Sequence, residues 1–479
     1  MAEPRPLLGF AVHPAQGAEI KRQVWLDERT VPCIMYGSVE IDTEDRTVEN
    51  LSLNGYFWLP DHPDNKIAGL FTFSTDSGGM LQLIGSFTSL FDLANSTVRD
   101  TKRIIGSNIG GTKHYTLDNC RQTALGNSQT FYVGTVVETY DFGRGEPIEC
   151  DKVTLSLTNL QAWINLSGIE YEMTLQEARD VGHMQIGVKS IPTMTTSFPR
   201  GKLSIKHRMS MSHKLAEGAL SERFEARLSF DNVLPYADAM DSASDLQDLL
   251  TIATHRVAGF EKVELMHPIF AAEHGKGESE KKSARLWSEW LAQSKPSRHT
   301  LTDSDMTFTF AQLGGIDGIG RWMTAAEMYR PQLGRVMNTR YNQHMFQQDI
   351  HLGRTAALES FHARWPKGTK PKKKSDHIPL HVRLEELADF AGPPFDALVP
   401  KKKRPVWCQK IVDERNDVAH HLGRNLHQDI VELHYLSEST YWLFAVCILR
   451  VADAPTVCFD QLVKHRNFQR CTRELDGLL

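Results

Sequence analysis

Pro405-Val-Trp407-Cys-Gln-Lys-Ile411-Val-Asp-Glu-Arg415-Asn416-Asp-Val418-Ala-His420-His421-Leu422-Gly423 is the stretch whose reading organises the rest of this chain. Pro405 suits a first helical turn, where the N–H it lacks would have no intrahelical acceptor. Trp407, Ile411, Val418 and Leu422 recur at helical spacing, so one face of the segment is apolar. Gly423 is placed to end the helix in a left-handed conformation. The last two turns then carry Arg415, Asn416 and His420. At about 100° per residue, Arg415 and His420 stand roughly 140° apart around the axis. An arginine is long enough to close that angle, so both side chains can touch one phosphate in a cleft. The C-terminal end of a helix carries partial negative charge and favours a protonated imidazole.

The Arg-Asn-x-x-x-His pattern formed by Arg415, Asn416 and His420, inside a helical C-terminal region, resembles the HEPN family of ribonucleases. The resemblance implies chemistry on RNA that needs no metal and no other cofactor. RNA supplies its own nucleophile, the 2′-hydroxyl, and an imidazole takes its proton or gives one to the departing 5′-oxygen. A guanidinium binds the phosphate through two hydrogen bonds and stabilises the charge growing on its oxygens. Asn416 holds the phosphate or orients His420, and His421 is the second-ranked imidazole. The expected products are a 2′,3′-cyclic phosphate and a 5′-hydroxyl. In that family two sites face each other across a dimer cleft, which implies a homodimer or higher homo-oligomer here.

The bare Arg-x4–6-His spacing also occurs at Arg208 with His213 and at Arg200 with His207. Both pairs lie in strand-like sequence and read as surface residues. Two basic runs flank the motif: Lys372, Lys373 and Lys374, then Lys401, Lys402, Lys403 and Arg404. They read equally well as solvated loop charges or as contacts that track RNA phosphates. His427 and His434 are seven residues apart, whereas a metal pair on one helix usually needs a spacing of four, so they read as surface or core-edge histidines.

Composition bounds the answer. The chain has 479 residues, which makes more than one domain the default, and 41% of them are hydrophobic. A net charge of −5 argues against a protein coated with nucleic acid. Between Phe361 and Arg424, however, there are 14 Lys and Arg against 8 Asp and Glu, a local basic excess around the motif. No apolar run approaches the length of a membrane span, and Tyr441–Leu449 is too short for one. The first residues lack the layout of a signal peptide. Seven widely spaced cysteines without a C-x-x-C pair fit reduced thiols in a prokaryotic cytoplasm.

Residues 1 to about 235 read as strands between Gly, Asp, Asn and Pro punctuation, the pattern of a sandwich or barrel. Leu53-Asn-Gly-Tyr-Phe57, Ile67-Ala-Gly-Leu70, Gly79-Met-Leu-Gln-Leu-Ile-Gly85, Tyr132-Val-Gly134 and Val153–Trp163 follow one another in a recognisable order. The series resembles the N-terminal domain of ApeA-type abortive-infection proteins, which in that family precedes a HEPN domain. Ala239–Arg256 has helical periodicity with Ser or Asp available as N-cap, Lys262–Ala271 suits a strand pair, and Glu273–Lys282 an exposed loop. From about Asp317 the chain reads as a helical bundle. Helices are expected over Trp322–Asn338, Tyr341–Trp365, Leu380–Phe390 and the motif, and a last one is opened by an Asn425/Gln428 capping box. Gly106–Lys113 is no phosphate loop, because its Thr and Lys are in the wrong order. Gly315–Gly320 is no dinucleotide fingerprint, because no strand leads into it.

The expected fold class is therefore α+β and multidomain: a β-rich, sandwich-like N-terminal half and an all-α HEPN bundle. The expected domains are a sensing or regulatory domain over 1–235, a mixed connecting region over 236–315 and a ribonuclease domain over 316–479. The resemblance implies anti-phage defence by abortive infection, with RNA, transfer RNA in particular, as substrate and a phage component as trigger. The competing reading is a non-catalytic protein with a ligand-binding β domain and a structural bundle.

Overall fold

The computed structural model describes residues 22–24, 33–36, 50–74, 77–87, 102–124, 128–175, 181–214, 217–267, 283–289, 291, 301–342, 344–368, 377–420 and 429–479. The strands begin with β1 (Arg22–Val24), β2 (Cys33–Tyr36), β3 (Asn50–Trp58), β4 (Ile67–Ser74), β5 (Gly78–Leu83), β6 (Arg103–Asn108), β7 (His114–Ala124), β8 (Thr130–Glu138) and β9 (Glu149–Leu157). After the short helix α1 (Leu160–Ile164) come β10 (Ile169–Leu175), β11 (Val181–Lys189), β12 (Met194–Phe198), β13 (Gly201–Lys214) and β14 (Glu217–Pro235). Helix α2 (Tyr236–Thr254) leads to β15 (Phe260–Met266) and β16 (Ala284–Ser288). The rest is helical: α3 (Phe310–Leu313), α4 (Gly315–Tyr341), α5 (Gln347–Arg364), α6 (Leu380–Ala391), α7 (Pro393–Leu398), α8 (Arg404–His420), α9 (Ile430–Val451), α10 (Thr456–Leu462) and α11 (Arg466–Leu478).

The chain divides into two units, one of residues 1–45, 166–192 and 207–223, the other of residues 46–165, 193–206 and 224–479. In the first, β1, β2, β11 and β10 form a four-stranded sheet whose β2–β11 pair is parallel. His207 belongs to this unit and is not a surface residue. Its side chain is 3% exposed, with Nε2 2.9 Å from Glu222 Oε2. Strand alternation turned it inward, which a spacing rule cannot foresee. Arg200, in the second unit, does sit nearer the surface and donates from Nε to Glu327 at 2.8 Å. The His213 side chain lies outside the described residues.

In the second unit, β3, β4, β5, β8, β7 and β6 pair antiparallel in a ring that closes from β6 back onto β3. Alternate residues point inward, so Leu53 and Phe57, Phe71 and Phe73, Leu81 and Leu83, and Phe131 and Val133 fill one apolar core. Of the two forms the sequence allowed, the closed barrel is found, and closure removes open edges. Gly106 is required where β6 passes Phe57, since a Cβ there would lie 2.7 Å from the ring. The Gly106–Lys113 stretch is the β6–β7 hairpin, in which Asn108 Oδ1 accepts from the Thr112 and Lys113 N–H groups at 2.8 and 3.1 Å.

The sheet continues outside the barrel. On β8, residues 130–133 pair with β5 and residues 135–137 with β16, and the order then runs β16-β15-β9-β14-β13-β12. Of the strand pair expected over Lys262–Ala271, the described residues hold the one strand β15, and residues 268–271 lie outside them. The partner β16 comes from residues 284–288, and the other edge of β15 takes β9. Expected loop residues 273–282 lie outside the described residues. Helix α2 packs on β9 and is buried over most of its length. Its N-cap is Pro235 with no side-chain cap, so neither Ser nor Asp performs that role. Residues 236–315 thus supply a core helix and two strands of the sheet.

Helix α4 joins this sheet to the bundle. A Cβ on Gly320 would lie 2.4 Å from Thr196 Oγ1 of β12, so glycine there lets helix and strand meet closely. The same helix is non-helical at Tyr329, just before Pro331, whose ring and missing N–H break the hydrogen-bond ladder. At the bundle's centre lies α9, buried from Leu433 to Leu449 apart from occasional polar positions. Its apolar run is a core helix, and no helix among the described residues is long and apolar enough to cross a membrane. Asp429, not an Asn425/Gln428 box, caps α9: its carboxylate accepts from the Val431 N–H at 2.8 Å and the Glu432 N–H at 3.4 Å. Asn425 and Gln428 lie outside the described residues. Nor is α9 the last helix, since α10 and α11 follow it. Cys120, Cys150, Cys408, Cys447, Cys458 and Cys471 are free and buried.

Candidate functional site

Helix α8 is anchored by Arg404, Trp407, Cys408 and Ile411, and none of its residues after Ile411 is fully buried. Arg404 begins it and is 3% exposed. Its guanidinium pairs with Asp389 at the end of α6 and Asp396 on α7, and also donates to the Ala388 carbonyl. It is therefore no phosphate contact, contrary to its expected place in a basic run: two carboxylates draw it inward. Lys403 is tied to Asp476 of α11 at 2.7 Å. Lys401 and Lys402 remain exposed in a 3-10 turn before α8. From Lys402 to Arg415 the helix axis runs about 20 Å at 1.5 Å per residue, so these lysines stand far from the motif. Lys372, Lys373 and Lys374 lie outside the described residues.

The middle of α8 is fixed by packing. Trp407 is fully buried, meets Phe395 edge to face and donates from Nε1 to Ser439 Oγ of α9 at 2.8 Å. Ile411 is also fully buried, and its carbonyl accepts from His351 Nε2 of α5 at 3.4 Å. Nδ1 of the same ring is 3.1 Å from Ser437 Oγ, so His351 links α5, α8 and α9. Burial drives this imidazole down to about 4, which makes it a neutral core histidine and no catalyst. Lys410 pairs with Glu432 on α9.

Beyond Ile411 the helix emerges. Arg415 Nη1 donates to Asn416 Oδ1 at 3.1 Å, and Nη2 lies 3.9 Å from Glu359 Oε2 on α5. The Arg415 side chain is 31% exposed, Asn416 is half-buried, and His420 is exposed at the last residue of the helix. An amide, a guanidinium and an imidazole thus share one accessible helix end. Arg415 and Asn416 together offer donors that suit an anionic group, and His420 adds an exposed imidazole five residues further along the same helix. His421, Leu422, Gly423 and His427 lie outside the described residues. His434, on the first turns of α9, is exposed and 3.5 Å from Gln347 Oε1. Glu359 was not among the residues singled out by sequence. It precedes Arg415 by more than fifty positions and carries no local pattern, so only the packing of α5 on α8 reveals it.

A strand-rich region followed by a helical region with this helix end defines the class: a β domain joined to a HEPN-type helical domain. Residues 52–319 match the family described as ApeA N-terminal domain 1, and residues 352–456 match the one described as Apea-like HEPN. The first match spans more than half of the chain, and the protein belongs to the ApeA N-terminal domain 1 family. The two matches in this order make it a defence-associated HEPN protein, and HEPN domains typically are ribonucleases that bind RNA and dimerise. The second match contains Glu359, Arg415, Asn416 and His420. No curated protein and no solved structure matches the chain.

Proposed function

We propose that the protein is a metal-independent endoribonuclease of anti-phage defence that stops infection by cutting RNA, with transfer RNA the substrate of choice. The observation that carries this reading is that Arg415, Asn416 and His420 lie in the last turns of α8, with Arg415 bonded to Asn416, both partly exposed, and His420 exposed. Arg415 and Asn416 grip the scissile phosphate, and His420 moves the proton to or from the ribose and leaving oxygens. The 2′-hydroxyl is the internal nucleophile, so the products are a 2′,3′-cyclic phosphate and a 5′-hydroxyl. In this reading the active species is a cytoplasmic homodimer or larger homo-oligomer, and the strand-rich region over 1–235 senses a phage component. A buried Arg415 or an inward-facing His420 would have favoured a purely structural bundle, and the accessibility of both supports catalysis instead.

The test uses the full chain. Helix α4 packs against α2, and Asp245 of α2 takes hydrogen bonds from Arg330 at 2.6 and 3.2 Å, so a fragment starting at residue 316 would lose core partners. Cells expressing wild type, Arg415→Ala or His420→Ala are challenged with phage, and their total RNA is run on a gel. Both variants are expected to lose protection and RNA fragments at unchanged protein level. Protection that survives both substitutions would replace the nuclease reading with a binding one.

A further inference from the structure

We infer that Glu359 is a positioning residue for Arg415: its carboxylate orients the guanidinium toward the phosphate without occupying a hydrogen-bond donor. This rests on the reading of Arg415 as the phosphate-binding group. The 3.9 Å between Arg415 Nη2 and Glu359 Oε2 is ion-pair distance but longer than a hydrogen bond. Nη2 therefore feels the carboxylate and keeps its N–H groups for a ligand, while Nη1 is held by Asn416 at 3.1 Å. An arginine that is 31% exposed would otherwise sample many rotamers. Two restraints on one planar group leave a fork preset for a bidentate acceptor.

The carboxylate can do this because residues 359–362 of α5 are tied to three other helices. The Glu359 carbonyl accepts from Arg383 Nη1 of α6 at 3.1 Å. Ser360 Oγ accepts from Gln332 Nε2 of α4 at 2.7 Å. Phe361 stacks on Tyr329 at the α4 kink, with ring centroids 4.3 Å apart, and meets Phe444 of α9 edge to face. His362, 0% exposed in its side chain, places Nε2 2.8 Å from Glu386 of α6. Four consecutive residues of α5 thus each grip another helix, and the first of them faces Arg415. Among the described residues Arg415 is the only ion-pair partner of Glu359. The opposite role, a carboxylate that competes with the phosphate, would require a closer contact that blocks the donors.

The full chain is compared as wild type, Glu359→Ala, Glu359→Gln, Arg415→Ala and the double variant Glu359→Ala/Arg415→Ala, at equal expression under phage challenge. The readout is fragment yield from total cellular RNA, with thermal melting of each purified protein as the control for folding. Glu359→Ala and Glu359→Gln are both expected to lower fragment yield by about tenfold to a hundredfold with melting unchanged. Glutamine keeps the shape and removes only the charge, so loss in both variants separates positioning from packing. The double variant is expected to be no weaker than Arg415→Ala, because Glu359 acts through that residue. Wild-type yield in Glu359→Ala beside an inactive Arg415→Ala overturns the inference and leaves the nuclease reading standing. Increased yield in Glu359→Ala also overturns it, by making the carboxylate a competitor of the phosphate. Wild-type yield in Arg415→Ala overturns the nuclease reading itself.

Discussion

The barrel and the helical bundle are closed by different physics. Inside the barrel, Phe57, Phe71, Phe73, Phe131, Val133 and their neighbours form an almost wholly apolar core. Burial of such surface is non-directional, and closure of the strands supplies the geometry. The bundle interior instead contains charge. Arg354 is 2% exposed and donates from Nη1 to the Ser437 carbonyl and to Glu438 Oε1, both at 2.8 Å. Arg340 adds a second guanidinium 3.8 Å from Glu438, and both arginines lie over the Tyr441 ring at 5.0 and 5.2 Å. Burial pushes the Glu438 carboxyl up, but the two arginines outweigh it and hold it at about 2. His255, which follows α2, stacks on Trp442 at 4.9 Å, and burial together with Arg340 keeps it well below the usual histidine range. Pairs of this kind contribute little net stability while both partners are present, but they cost much when one partner is lost.

The largest expected effects test that contrast directly. Glu438→Leu should destabilise the protein by about 3–5 kcal/mol by leaving Arg354 buried without its partner. Adding Arg354→Met should recover about 1–4 kcal/mol, because the more deeply buried of the two uncompensated guanidiniums is then gone and only the partly exposed Arg340 remains. Phe131→Ala in the barrel should cost a similar 3–5 kcal/mol or so through its cavity, with no second substitution to undo it. Denaturant unfolding followed by tryptophan fluorescence measures all three. Strictly additive losses in the double variant would break the distinction between the two interiors.

Protonation sharpens the same comparison at a somewhat smaller scale. His351 is held at about 4 in the fold by burial, below its ordinary 6.5. As pH falls below 6.5 the unfolded chain takes up a proton at this residue while the folded chain does not, so stability drops until the pH nears 4. At about 1.4 kcal/mol for each pH unit, the loss is on the order of 3 kcal/mol. His351→Gln should flatten this slope in melting experiments between neutral pH and pH 4, whereas Phe131→Ala should leave it as steep as in wild type. An unchanged slope in His351→Gln would remove His351 from the account.

The smallest effect concerns the helix that carries most of the bundle core. Asp429→Ala removes the side chain that caps α9 and should destabilise by about 1 kcal/mol. Asp429→Asn keeps an acceptor and should recover most of that loss in the same melts. Equal loss in both variants would shift the effect from the hydrogen bonds to the carboxylate charge.

How far each feature could be read depended on how local its cause is. Strand alternation in Leu51–Leu59, Lys66–Phe73 and Thr130–Val137 foretold β3, β4 and β8 because the inward positions recur every second residue. The end of α6 was readable because Gly392 takes a positive φ of 67° and Pro393 follows it. The cap of α9 was misread because Asp429 competes with a nearby Asn and Gln that fit the same rule. Arg404 and His207 were misread because their partners, Asp389 with Asp396 and Glu222, come from other elements. The separation of β15 from β16 by a long intervening segment likewise has no signature in either strand alone.

By itself the sequence determined the division into a strand-rich region and a helical one, and the presence of Arg415, Asn416 and His420 near the end of one helix. Periodicity, glycine and proline placement, and a five-residue spacing are enough for that, because each acts within a few turns or one strand. Tertiary structure decided that the strands close into a barrel, that α2 packs on β9 and α4 while His255 stacks on Trp442 in the bundle, and that Glu359 faces Arg415. These depend on which buried surfaces and charges meet across long stretches of chain, and burial sets the strength of each pairing.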